Sequence, residues 1–201
     1  RQRQMCIRDR SSCSGDDAVI PDNPVQPGVV NVTTENIIYE ANPRMYGVQG
    51  GLAALTSNLS GIKDMGTDIV WVMPVNTPGE EKSIGSPYCV RDYYTVNPQL
   101  GTMADFKTLV ETAHSLGMKV LLDWVANHTA WDCQWITSHP DWYVHDANGD
   151  IVYPETWTDV AELNYDNADM RAAMIEAMRY WISETGIAVS YTHLRAHETC
   201  A

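Results

Sequence analysis

Side chains with binding chemistry stand directly after short apolar runs of the chain. An acid, an amide and an imidazole follow one run at Asp123, Asn127 and His128, and Tyr88 lies in a long loop after another. Such groups can hydrogen-bond sugar hydroxyls, ligate a hard cation through the amide oxygen, and present the imidazole to a polar transition state. The sequence therefore predicts a polar binding site at the ends of two strands.

The elements that must position these residues alternate between strand and helix. Apolar positions recur at helical spacing in three segments, 52–62, 106–113 and 170–181. Short apolar runs typical of buried strands occur at 37–40, 69–73 and 120–122. The order β-α-β-α-β-insert-α indicates parallel βαβ units. A three-stranded parallel sheet leaves strand edges unpaired, so we interpret the chain as part of a larger α/β fold.

Three stretches carry a resemblance to a known family. They read GTDIVWVMPV from residue 66, SPYCVRDYYTVNPQLGTMADFKTLVETAHSLGMKVLLDWVANH from residue 86, and TDVAELNYDN from residue 158. Together they resemble the α-amylase family of glycoside hydrolases. The resemblance implies an α/β fold, a partial (β/α)8 TIM barrel of about three of the eight βα units. It assigns residues 35–128 and 168–187 to the barrel and residues 129–167 to a small domain inserted after the third strand.

The same resemblance implies roles for individual residues. His128 would hydrogen-bond the sugar at the cleavage subsite, Tyr88 would stack under that sugar ring, and Asp123 would support this end of the pocket. Asn127 matches a family calcium ligand, although a strand-end Asn can also cap its own turn. Glu162 falls where the family places a second, acidic calcium ligand, but the local sequence VAELN departs from the common LPDLD form.

Five aromatic residues cluster in the predicted insert. They are Trp131, Trp135, Trp142, Tyr143 and Trp157. Some could be platforms for glucose rings, since an aromatic face suits the apolar face of a pyranose. The alternative is that they form the core of a segment with little secondary structure, and we favour this alternative for most of them.

The family's catalytic carboxylates come from later strands. A retaining glycosidase requires a carboxylate nucleophile and a carboxyl acid/base about 5 Å apart, and no nucleophile-bearing segment follows Ile187. We therefore expect a parent protein that hydrolyses α-1,4-glucosidic bonds of starch- or glycogen-type glucans, and no activity from this segment alone. Alternatives are an α-glucosidase, a transglycosylase, a debranching enzyme, or a non-catalytic glucan-binding barrel.

Charge and hydropathy exclude two classes of partner. The chain has 26 acidic and 13 basic residues, a formal net charge of −13. An acidic surface repels phosphodiester backbones, so nucleic-acid binding is not expected. No apolar run approaches the roughly 20 residues of a membrane-spanning helix.

The two ends of the chain predict features outside the barrel. Residues 5–9 and 189–193 can be encoded by one inverted DNA repeat that resembles a sequencing-library adapter, so residues 1–10 and 188–201 are interpreted as translated adapter. Residues 11–34, rich in Ser, Asp, Pro and Val, are predicted to be a tether. Cys13 in a small-residue context resembles a lipidated bacterial cysteine, which implies a secreted or outer-surface lipoprotein.

Overall fold

The computed structural model describes residues 35–47 and 49–191. Its strands are β1 (Ile38–Ala41), β2 (Ile69–Val72), β3 (Asn76–Pro78), β4 (Val90–Val96), β5 (Lys119–Trp124), β6 (His128–Ala130), β7 (Val160–Glu162) and β8 (Ala188–Tyr191). Its α-helices are α1 (Gly51–Asp64), α2 (Met103–Ser115), α3 (Gln134–Ser138) and α4 (Ala168–Thr185), and short 3₁₀ turns cover Pro43–Met45 and Pro140–Trp142. In this part of the chain, no helix is both long and apolar enough to cross a membrane.

The central sheet has four parallel strands in the order β1-β2-β5-β8. Its register aligns Val70 with Val120 and Leu121 with Ala188. Each pair of neighbouring strands is joined through a helix, α1, α2 or α4, as expected of consecutive βα units. The predicted partial α/β barrel is confirmed.

The sequence predicts three of these strands, and β8 is an addition. Gly186 ends α4 in the left-handed conformation (φ 72°). The buried residue Ile187 follows, and Ala188, also buried, begins β8. The strand covers the edge of β5, which would otherwise carry unpaired backbone groups. Because backbone pairing depends little on side-chain identity, the interpretation of residues 188–201 as adapter stays a prediction.

The helices cover one face of the sheet because their apolar residues recur on one stripe. In α1 this stripe is Leu52, Leu55, Leu59 and Ile62, all of them buried. A capping box starts α2, where the side chains of Thr102 and Asp105 each accept a hydrogen bond from the other's backbone N–H. The side chain of Asn167 caps α4 in a similar way by accepting from Asp169 and Met170.

Two small antiparallel sheets stand beyond the ends of the parallel strands. The β3-β4 hairpin occupies the connection between β2 and α2, and the β6-β7 ribbon opens and closes the segment inserted before α4. They pack together so closely that a Cβ atom on Gly79 would lie 2.3 Å from the Cβ atom of Ala130. The inserted segment is therefore held against the hairpin rather than standing apart.

Two glycines of α1 give a matched test of how closely this helix approaches the turn Pro43–Met45. A Cβ atom added at Gly51 would lie 2.2 Å from the carbonyl oxygen of Pro43, whereas nothing lies within 4 Å of one added at Gly61. We expect Gly51→Ala to lower the free energy of unfolding by about 1–3 kcal/mol. The control, Gly61→Ala, should raise it by about 0.5–1 kcal/mol because alanine favours helix. Thermal unfolding of both variants measures this, and equal midpoints would contradict the close approach.

Candidate functional site

The predicted site residues meet at the carboxyl ends of β2 and β5. Asp123 is the penultimate residue of β5, His128 begins β6 four residues after that strand, and Tyr88 precedes β4. Residues on parallel strands share this edge because the strands run in the same direction. The structure therefore brings together three groups that are up to forty positions apart in the sequence.

Tyr88 and Asp123 are joined directly. The Tyr88 hydroxyl donates a hydrogen bond of 3.0 Å to Oδ2 of Asp123, whose residue is 1% exposed. Burial raises the pKa of Tyr88 above its usual value, and the negative charge of Asp123 raises it further. The phenol therefore stays protonated across the neutral range and remains the donor. This pairing holds the hydroxyl end of the Tyr88 ring at the edge of the site.

Both ring nitrogens of His128 have partners in the protein. Nε2 lies 3.2 Å from the carbonyl oxygen of Tyr88, and Nδ1 lies 3.2 Å from the side-chain nitrogen of Asn127. A neutral ring with its proton on Nε2 satisfies both contacts, donating to the carbonyl and accepting from the amide. Asn127 thus orients His128, a relation that the sequence did not predict.

Tyrosine hydroxyls hold the turn between β5 and β6. The hydroxyl of Tyr93 lies 2.8 Å from the carbonyl oxygen of Val125 and 3.0 Å from that of His128. The hydroxyl of Tyr165 donates to the carbonyl oxygen of Ala126 at 2.6 Å. These contacts give hydrogen-bond donors to backbone oxygens at and between the ends of the two strands. Neither tyrosine is predictable from the sequence, because a single tyrosine near a strand end carries no signal of its distant partner.

A cavity of about 260 Å³ opens beside His128. Its lining comes from the hairpin, from β6 and from the end of the inserted segment: Ile84, Ser86, Tyr88, His128, Trp157, Asp159 and Val160. Asp123 lies behind this lining and acts through Tyr88. The cavity therefore combines an oriented aromatic ring, an imidazole and hydrogen-bonding groups, which suits a ligand with alternating apolar and hydroxylated surfaces.

The aromatic cluster of the insert divides into core and surface. Tyr143 and Trp142 are 1% and 8% exposed, and the ring of Trp135 stacks on Tyr93 with centroids 5.1 Å apart. The core interpretation is thus right for these three. Trp157 differs, since it is 42% exposed and its ring meets that of His128 edge-on at 5.7 Å.

Charged contacts tie the hairpin to the inserted segment. Arg91 lies 2.9 Å from Glu80 and 3.5 Å from Asp132 of the insert. Nearby, the ammonium of Lys82 sits 3.7 Å above the ring of Trp131. This network is not predictable from the sequence, because its members come from separate loops without a recognisable motif. It steadies one wall of the cavity.

The two predicted calcium ligands are neighbours in the structure. The N–H of Leu163 donates to the carbonyl oxygen of Asn127, and the preceding residue, Glu162, pairs with His128 in the ribbon. Asn127 and Glu162 are each 8% exposed, and both carry the oxygen atoms that calcium prefers. Across the described ranges, no group of three His, Cys, Asp or Glu side chains could hold a metal. The predicted lipidation site, Cys13, lies outside the described residues.

Comparison with known proteins identifies relatives of this architecture. The family model "Alpha amylase, catalytic domain" matches residues 15–160. An α-amylase from Lactobacillus plantarum superimposes with a TM-score of 0.73 and 40% identity, over 78% of this chain and 38% of that one. A maltogenic α-amylase from Thermotoga neapolitana gives a TM-score of 0.75 and 38% identity, over 81% and 40%.

A further relative is named for a different glucosidic linkage. The oligo-1,6-glucosidase of Halalkalibacterium halodurans is 25% identical over 75% of this chain. The chain spans 33% of the length of that relative. Two thirds of such a protein therefore has no counterpart in the segment described above.

Proposed function

The chain belongs to the α-amylase catalytic-domain family, and from that premise we propose that its parent protein hydrolyses α-1,4-glucosidic bonds of starch- or glycogen-type glucans. The observation that carries the proposal is the cavity in which Tyr88 and His128 stand side by side. The identities of 40% and 38% to two α-amylases favour the α-1,4 linkage.

In this proposal the segment supplies sugar-binding groups. The ring of Tyr88, fixed by Asp123, packs against the apolar face of a glucose unit. The Nε2–H of His128, which faces the carbonyl oxygen of Tyr88, is shared with a sugar hydroxyl oxygen. Both groups bind and orient the sugar, and neither transfers a proton to the scissile bond.

The bond-breaking groups belong to later barrel strands. A retaining mechanism needs two carboxyl groups about 5 Å apart, one as nucleophile and one as acid/base. Of the described residues that line the cavity, Asp159 alone is a carboxylate. We therefore propose that residues 35–187 bind sugar weakly at most and hydrolyse nothing without the remainder of the barrel.

Calcium is part of the proposal as a structural ion. Asn127 and Glu162 would supply two of the six to eight oxygen ligands that the ion requires. Bound there, calcium would hold the inserted segment to the end of β5 and so support His128. A tethered position at the cell surface through Cys13 is a separate proposal that rests on the sequence alone.

The test uses the full-length parent protein with three substrates. Maltopentaose, isomaltose and trehalose distinguish α-1,4, α-1,6 and α,α-1,1 linkages. We expect hydrolysis of maltopentaose at least about tenfold faster than of the other two, with the α-anomer as the first product seen by proton NMR. A preference for isomaltose or trehalose would overturn the proposed specificity. Binding of maltopentaose without hydrolysis would favour the non-catalytic glucan-binding barrel.

A further inference from the structure

Trp157 differs from the other tryptophans of the inserted segment in its surroundings. Trp142 is 8% exposed and packs on Trp135, and the indole N–H of Trp131 donates to the carbonyl oxygen of Thr158. Trp157 is 42% exposed and lines the cavity that contains Tyr88 and His128. Its place in the cavity wall, together with this exposure, distinguishes it from the tryptophans that pack in the core.

The backbone around Trp157 is held on both sides. The Trp157 N–H donates to the carbonyl oxygen of Pro154, and the Val160 N–H donates to the carbonyl oxygen of Trp157. The carbonyl of Thr158 accepts from Trp131, and that of Asp159 accepts from the thiol of Cys89. The segment is therefore anchored to the insert and to the hairpin, so the indole is presented from a fixed position.

The ring of Trp157 is oriented toward the sugar-binding groups. It meets the His128 ring at an angle of 72°, with centroids 5.7 Å apart. Trp157 is 42% exposed in the cavity wall, and aromatic ring faces are what pack against the apolar side of a pyranose. Asp159 lines the same cavity, and its carboxylate can accept hydrogen bonds from sugar hydroxyls.

We propose that Trp157 is a stacking platform for a second glucose unit, next to the unit bound by Tyr88 and His128, and that it sets the preference of the enzyme for longer glucans. The proposal rests on the proposed function, because it takes the cavity as the glucan site. Since the platform contacts a glucose that does not react, its binding energy is the same in the ground state and the transition state.

The test compares Trp157→Ala, Trp157→Phe and wild type in the full-length protein, with maltose-series substrates of two to seven glucose units. For the longest substrate we expect Trp157→Ala to raise KM about 3- to 10-fold with kcat changed by less than twofold. For the shortest substrate able to react we expect little change. Trp157→Phe should recover most of the lost affinity, because it keeps an aromatic face.

Tyr153→Ala is the matched control. Tyr153 is another exposed aromatic residue of the insert, 46% exposed, and it is not part of the cavity lining. We expect its KM to equal that of wild type for every chain length. A KM for Trp157→Ala that stays at the wild-type value, or that rises equally for short and long substrates, would overturn the platform. Wild-type protein that leaves every maltose-series substrate intact would instead refute the proposed function.

Discussion

Replacing His128 by alanine in the full-length protein should lower kcat/KM on maltopentaose about 10- to 100-fold. The substitution removes the Nε2–H that we propose to donate to the sugar, and it leaves a buried sugar hydroxyl without that partner, a loss of about 1–3 kcal/mol. It also leaves the side-chain nitrogen of Asn127 without its contact to Nδ1. Initial rates over a range of substrate concentrations give the ratio.

A second histidine serves as the matched control for this substitution. His114 is exposed in the last turn of α2, and it lies outside the cavity lining. His114→Ala should keep wild-type kcat/KM within about twofold, as surface substitutions commonly do. If His128→Ala retained more than a third of the wild-type value while its thermal unfolding midpoint was unchanged, His128 would have no part in sugar binding.

The alternation of strands and helices was predictable because the local spacing of apolar residues determines it. Leu52, Leu55, Leu59 and Ile62 recur at helical spacing, and all four are buried in α1. The run at 69–73 contains β2, whose Val70 and Val72 face the helices. The fourth strand was not predicted, because the interpretation of residues 188–201 as translated adapter leaves β8 out of the fold.

The candidate site was predictable only where a motif carries it. One stretch that resembles the family, residues 86–128, contains Tyr88, Asp123 and His128. The structure places all three together. The contacts that orient them were not predictable. The hydroxyl of Tyr93 reaches a carbonyl oxygen 35 positions away, and a spacing of that length leaves no periodic trace in a sequence. Loop conformation, which decides such contacts, depends on packing that only the folded chain reveals.

The inserted segment shows why aromatic residues resist assignment from sequence alone. Trp135, Trp142 and Trp157 are of one type and lie within 23 positions, yet their surroundings differ. Trp135 and Trp142 pack edge-to-face with centroids 5.1 Å apart, whereas Trp157 faces the cavity. Because this segment has little regular secondary structure, no period distinguishes an inward position from an outward one.

Trp181 connects the helices to the site. Its replacement by alanine should lower the free energy of unfolding more than Gly51→Ala does. The residue is 0% exposed, and its ring packs edge-on against Phe106 at 5.3 Å. Its indole N–H donates to the carbonyl oxygen of Tyr93, the residue whose hydroxyl supports the carbonyl of His128. We expect Trp181→Ala to lower the free energy of unfolding by about 3–5 kcal/mol, through lost contacts and the cavity that remains.

One further variant separates packing from hydrogen bonding at Trp181, and another serves as its surface control. Trp181→Phe keeps an aromatic ring but loses the donor to Tyr93, so we expect a smaller loss of about 1–3 kcal/mol. Ile175→Ala, on the exposed face of the same helix (54% exposed), should stay within about 0.5 kcal/mol of wild type. Denaturant titration of the full-length protein measures all three. Equal midpoints for Trp181→Ala and Ile175→Ala would mean that Trp181 does not pack α4 against β4. The structure would then give no reason to expect that Trp181 supports His128 through Tyr93.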